Sequence, residues 1–146
     1  MTFAAALARH AGATPAKTAV VDDDRRLTFA ELDAFVDRVA GGLRARGVGP
    51  GEVVTSQLAN SAEALALALA ANRVGAVHNP VVPIYREREV GFIRQQAATA
   101  VFVDDPHDDP VADPTHHPAA PGDVAQDEVR FLVYTSGSTA DPKGVQ

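Results

Sequence analysis

Val129-Arg130-Phe131-Leu132-Val133-Tyr134-Thr135-Ser136-Gly137-Ser138-Thr139-Ala140-Asp141-Pro142-Lys143-Gly144-Val145 is the stretch on which the reading of this chain turns. Val129 to Tyr134 is an apolar run of strand length. It feeds directly into small hydroxyl residues and glycine, closed by Lys143 and Gly144. Physically this is a strand that ends in an anion cradle. Gly137 lets the backbone turn and approach a ligand with no Cβ in the way. Thr135, Ser136, Ser138 and Thr139 offer hydroxyl donors. Lys143 adds a mobile positive charge, and successive backbone N–H groups in such loops form a concave anion site. The expected guest is a polyphosphate.

Ser/Thr/Gly clusters also occur in linkers and surface loops. Three features favour a site here: the preceding apolar strand, the Pro142-Lys143-Gly144 that follows, and the specific residue order. It is not the phosphate loop of nucleotide hydrolases. That motif places Gly-Lys-Ser/Thr four residues after a glycine, whereas Lys143 stands between Pro142 and Gly144.

At 146 residues the chain has the size of one domain, and 46% hydrophobic content suffices for a core. A net charge of −6 argues against nucleic-acid or anionic-membrane partners. With no cysteine there is no disulfide and no protein thiolate chemistry, which fits the cytoplasm. The longest apolar run, Ala64 to Ala71, falls far short of the roughly 20 residues of a membrane span. Met1 to Ala8 lacks a basic flank, so no signal peptide is expected.

Upstream of the motif the chain alternates strand and helix. Phe3 to His10 reads as a helix with Phe3 and Leu7 on one side, ended by Thr14-Pro15. Lys17 to Val21 and Arg25 to Leu27 read as strands. Asp22-Asp23-Asp24 between them reads as a solvated hairpin tip rather than a metal site. Thr28 and Glu31 form a capping box for a helix whose apolar face is Phe29, Leu32, Val36, Val39 and Leu43. Gly47 stops it, and Gly49-Pro50-Gly51 turns the chain. Glu52 to Leu58 is the next strand.

Asn60 and Glu63 are expected to cap a helix from Ser61 to about Val74, and Gly75 to end it. Ala76 to Val82 reads as a strand, with His78 inside it as a structural residue. A helix from Arg86 to about Ala98 turns Val90, Ile93 and Phe92 inward, and Ala100 to Val103 is a strand. Asp104 to Asp127 holds five prolines, seven aspartates and three histidines with no periodic apolar pattern. It reads as a loop, and His107, His116 and His117 are not assigned a metal. The expected organisation is thus residues 103–128 as an irregular loop and 129–146 as a strand plus phosphate-binding loop. The fold class is α/β: a mostly parallel sheet with helices on both faces. Ligands of such sheets sit beyond the carboxyl ends of the strands, where the Thr135 loop emerges.

The order Tyr134-Thr135-Ser136-Gly137-Ser138-Thr139, two residues, then Pro142-Lys143-Gly144-Val145 resembles the phosphate-binding signature of the adenylate-forming (AMP-binding) enzymes. These are the acyl-CoA synthetases, the adenylation domains of peptide synthetases, and the luciferases. Ala140 stands where that family usually has glycine; a positive φ there would cost alanine about 1 kcal/mol. Thr14 to Val54 and Gln57 to Ile93 are similar to the N-terminal part of acyl-CoA synthetases. Asn79 to Glu89 looks most like ligases for alicyclic and medium-chain acids, such as cyclohexanecarboxylate-CoA ligase.

The resemblance implies the N-terminal part of the family's large domain. It implies an acid-thiol ligase that joins a small-molecule carboxylic acid to ATP, with Mg2+, and passes the acyl group to coenzyme A. Thr135, Ser136, Gly137, Ser138 and Thr139 would bind the β- and γ-phosphates. Lys143 would neutralise phosphate or leaving pyrophosphate, and Gly144 would give the loop room to move. The family's adenine pocket, metal ligand, acyl pocket and catalytic lysine come later than residue 146. The chain is therefore expected to be an incomplete N-terminal fragment, lacking catalytic and metal residues and the C-terminal part of the enzyme. With an exposed sheet edge it is expected to be poorly stable and prone to associate. Two alternatives stand beside the acyl-CoA synthetase: an amino-acid-activating adenylation domain of a peptide synthetase, and a non-catalytic nucleotide-binding remnant.

Overall fold

A computed structural model describes residues 2–107, 129–135 and 143–145. In chain order the elements are α1 (Phe3–Ala13), β1 (Thr18–Asp22), β2 (Arg25–Thr28), α2 (Phe29–Ala45), β3 (Val53–Ser56), α3 (Ala62–Val74), β4 (Val77–Pro80), α4 (Glu87–Gln96), β5 (Thr99–Val103), β6 (Val133–Thr135) and β7 (Lys143–Val145). The central sheet is parallel, in the order β4-β3-β5. Two antiparallel hairpins, β1-β2 and β6-β7, accompany it.

Successive side chains of a strand point to opposite faces, and β5 shows what each face meets. Val101 and Val103 join a core with Val54, Val36, Val39 and Leu43 of α2 and Leu67, Ala70 and Val74 of α3. Phe102 instead packs with Val90 and Ile93 of α4 and with Val81. Helices therefore cover both faces, as the alternating pattern predicts. The alanine-rich sides of α3 let it lie close to α2 and the sheet: Ala62, Ala66, Ala70 and Ala71 are all fully buried.

The local stop and start signals act as read. Thr28 Oγ1 accepts from Glu31 N–H while the Glu31 carboxylate accepts from Thr28 N–H, closing the capping box. Gly75 ends α3 in the left-handed conformation, φ 83°. Other expectations need correction. Asn60 does not cap α3; Ser61 does, because its extended backbone sets its hydroxyl under Ala64 N–H at 3.2 Å. Glu63 reaches instead to Arg25 on β2, at 2.7 Å. Phe3 is 64% exposed, so α1 buries Ala4 and Leu7 rather than Phe3 and Leu7. Asp22 is more than a solvated tip residue: its carboxylate accepts from Ala62 N–H at 2.9 Å and ties the hairpin to the start of α3. Strands β3 and β4 are shorter than the apolar runs that contain them, since pairing rather than hydrophobicity sets their ends.

A buried ion cluster joins α2 to α3. Arg73, 5% exposed, forks to the carboxylates of Asp33 and Asp37 and also donates to Asp33 O. Among the described residues no helix is long and apolar enough to cross a membrane.

Candidate functional site

The motif strand enters the sheet beside β4. His78 N–H donates to Arg130 O at 2.9 Å, and Leu132 N–H donates to His78 O at 3.0 Å. These bonds define a parallel bridge between His78 and Phe131. The run read as one strand, Val129 to Tyr134, is therefore split. It touches the parallel sheet at Phe131, then turns its pairing to β7 from Val133 onward. Because the bridge is parallel, the chain leaves toward the carboxyl ends of β3, β4 and β5, where ligands of such sheets bind.

At that end Thr135 lies opposite Lys143 in the β6-β7 register, with Tyr134 opposite Gly144 and Val133 opposite Val145. The backbone thus brings the first candidate residue and the candidate lysine to facing positions of one hairpin. Ser136, Gly137, Ser138 and Thr139 fall between them, outside the described residues, as does Ala140. The same holds for His116, His117 and most of the Asp104–Asp127 stretch.

Gly144 has a packing reason for being glycine. A Cβ there would come within 3.3 Å of Tyr134 Cζ and 3.4 Å of Leu132 Cδ1. The Tyr134 ring lies across this gap and packs against the cluster of Val81, Val90 and Ile93, which Tyr85 and Phe102 also flank. Burial pushes its phenol pKa up, so it stays neutral. The hairpin that brackets the loop is in this way pinned to the α4 face of the sheet. Sequence reasoning missed this role of Tyr134; the aromatic facing a glycine across a hairpin was the available signal.

Behind the motif strand lies a polar layer. His78 Nε2 is 2.9 Å from Ser56 Oγ, and the His78 and Phe131 rings meet edge to face at 5.7 Å. Burial pushes the imidazole pKa down to about 4, so it is neutral at physiological pH. Buried and facing an apolar ring, His78 is structural, in agreement with its sequence reading. On the other face of the sheet Asn79 Nδ2 donates to Thr55 Oγ1 at 3.0 Å, and Thr55 and Thr99 hydroxyls share a 2.6 Å hydrogen bond. These cross-strand bonds link β4, β3 and β5 at fixed register.

Among the described residues no three His, Asp or Glu side chains gather where a metal could sit. A groove of about 520 Å³ runs past Arg25, Phe35, Arg38, Glu63 and His107, and none of the described motif residues lines it.

A family described as AMP-binding enzyme matches residues 7–146. The probable non-canonical nonribosomal peptide synthetase CymA of Salinispora arenicola is 36% identical over 145 residues, covering 99% of this chain and 2% of CymA. Tyrocidine synthase 2 of Brevibacillus parabrevis is 30% identical, covering 90% of this chain and 4% of the synthase. A solved double mutant of the Bacillus subtilis o-succinylbenzoate CoA synthetase MenE, bound with its product analogue OSB-NCoA, superposes with TM-score 0.86 at 26% identity. It covers 96% of this chain and 32% of its own. The chain therefore spans a small part of each of these relatives.

Proposed function

From the premise that this chain belongs to the AMP-binding enzymes, we propose that its Thr135-to-Gly144 segment holds the phosphates of ATP while a carboxylic acid is adenylated. The acid's carboxylate oxygen attacks the α-phosphorus, the bond to the bridging oxygen breaks, and pyrophosphate leaves with that electron pair. The observation that carries the reading is the Thr135–Lys143 pairing at the carboxyl end of the sheet, with the hydroxyl-rich residues between. Thr135, Ser136, Gly137, Ser138 and Thr139 meet the β- and γ-phosphates; Lys143 balances charge that grows on the leaving pyrophosphate. Gly144 keeps the hairpin narrow. Catalytic groups and ligands for Mg2+ are assigned to the remainder of a longer enzyme.

The acid is proposed to be an amino acid whose adenylate passes to a carrier-protein thiol. Support comes from the peptide synthetases CymA and tyrocidine synthase 2. The second reading is transfer to coenzyme A, supported by MenE; its narrowest form is an alicyclic or medium-chain acid, from the Asn79–Glu89 likeness. Either setting is cytoplasmic. Acid-dependent exchange of labelled pyrophosphate into ATP by the longer enzyme that carries this segment, run with amino acids against fatty and alicyclic acids, separates the two. Calorimetric titration with ATP should show binding that Lys143→Ala weakens at least tenfold. Neither ATP binding nor exchange by that longer enzyme would leave a non-catalytic remnant and overturn the adenylation reading.

A further inference from the structure

We infer that His78 is a positioning residue for the phosphate-binding loop, an inference that rests on the adenylation reading above. One residue makes both described backbone bonds between the parallel sheet and the motif strand: it donates to Arg130 O and accepts from Leu132 N–H. Its ring then packs against Phe131, the residue bracketed by those bonds, with an interplanar angle of 71°. Phe131 also meets Phe3 of α1 edge to face at 6.1 Å.

The side chain also fixes where this junction sits. His78 Nε2 bonds Ser56 Oγ on β3, and both residues are buried, at 5% and 4% exposure. In the sheet His78 is paired with Val54, so the bond to Ser56 runs diagonally along β3. It therefore resists sliding of β4 against β3, which straight cross-strand packing resists less. An apolar residue at 78 would leave the Ser56 hydroxyl buried without this partner, and a buried hydroxyl is costly to leave unpaired.

The junction lies close to the chemistry. Phe131 precedes Thr135 by four residues of nearly extended chain, roughly 13 Å at about 3.3 Å per residue. Over that span a change of strand angle at His78 becomes a displacement of Thr135, where the loop begins. Loop donors must meet phosphate oxygens within hydrogen-bond tolerance, so loop placement is read directly in ATP affinity. His78 itself touches no reacting atom in this scheme; it acts through the strand.

Two substitutions test this from opposite ends. His78→Phe keeps an aromatic ring against Phe131 and drops the bond to Ser56. Ser56→Ala drops the same bond and leaves β4 untouched, so it stands if His78→Phe fails to fold. Placed in the longer enzyme that carries this segment, each is expected to raise the ATP KM in pyrophosphate exchange about tenfold, the order of one lost buried hydrogen bond, with acid KM within twofold. The double variant should be no worse than the single ones. Amide exchange at Leu132 should quicken about tenfold in both, an effect independent of turnover. Unchanged ATP KM and unchanged Leu132 protection in folded variants would overturn the positioning role while leaving adenylation intact. Absence of both ATP binding and exchange in the unsubstituted longer enzyme would overturn adenylation, and this inference with it.

Discussion

Tyr134 and Gly144 face each other across the β6-β7 hairpin, and the tyrosine ring occupies the space that a side chain at 144 would need. A Cβ at 144 would sit 3.3 Å from Tyr134 Cζ, tighter than ordinary contact but against the movable end of a side chain. Gly144→Ala should therefore cost about 1 kcal/mol and Gly144→Val about 2 or more, read from urea midpoints. In the Tyr134→Ala background the ring is gone, and the two substitutions at 144 should lose most of their cost. Persistence of the full cost there would show that backbone conformation, not the ring, demands glycine.

Gly75 combines crowding with a backbone constraint that Gly144 lacks. Its φ is 83°, and a Cβ would lie 3.3 Å from backbone and side-chain atoms of Pro50. Its carbonyl also accepts from Gly51 N–H at 2.9 Å, tying the end of α3 to the turn before β3. Gly75→Ala should cost about 2 kcal/mol, from left-handed strain and the crowding of Pro50 together. A loss below about 0.5 kcal/mol in chemical denaturation would contradict the geometry.

Arg73 is shared between two carboxylates while being almost wholly buried itself. Removing one partner of a fully buried pair costs about 3–5 kcal/mol. Asp33 and Asp37 keep 25% and 31% side-chain exposure, so water screens part of the loss. Arg73→Ala should cost about 2–3 kcal/mol on this basis. Asp33→Asn should cost less than half of that, because Asp37 still answers the guanidinium. Equal losses for the two variants would show that the cluster does not share its charge in this way.

His78 makes folding stability depend on pH. Its ordinary value of 6.5 falls to about 4 in the folded chain because burial disfavours the cation. Between those values the unfolded chain binds a proton that the folded chain refuses. Stability therefore rises with pH across this window and is lost as pH falls from 6.5 toward 4. The full span corresponds to about 3 kcal/mol. Glu31 acts in the same direction at lower pH, its carboxyl held down by the Thr28 N–H and then the Thr28 hydroxyl. Urea midpoints from pH 7 to 4.5 should drop for the unsubstituted chain and drop much less for His78→Phe. Parallel profiles would rule out His78 as the source.

What could be read in advance was short in range. Thr28 and Glu31 are three residues apart, and the capping box follows from that spacing with no help from the rest of the chain. The helical period of Leu32, Val36, Val39 and Leu43 likewise marks the buried face of α2 before any partner is known. The motif residues suggest phosphate chemistry because hydroxyls, glycine and lysine offer its donors whatever the fold. Asn60 misled because two adjacent residues could each cap α3, and the backbone angle at Ser61 chose between them.

By its own sequence, then, this protein determined its α/β alternation, its helix ends and its family signature, since each depends on neighbours a few positions away. Only the tertiary structure decided that β3 lies between β4 and β5, that Arg73 answers Asp33 and Asp37, and that His78 receives the motif strand. Those pairings join residues tens of positions apart. Their partners are chosen by burial, register and hydrogen-bond satisfaction over the whole chain, which no local pattern encodes.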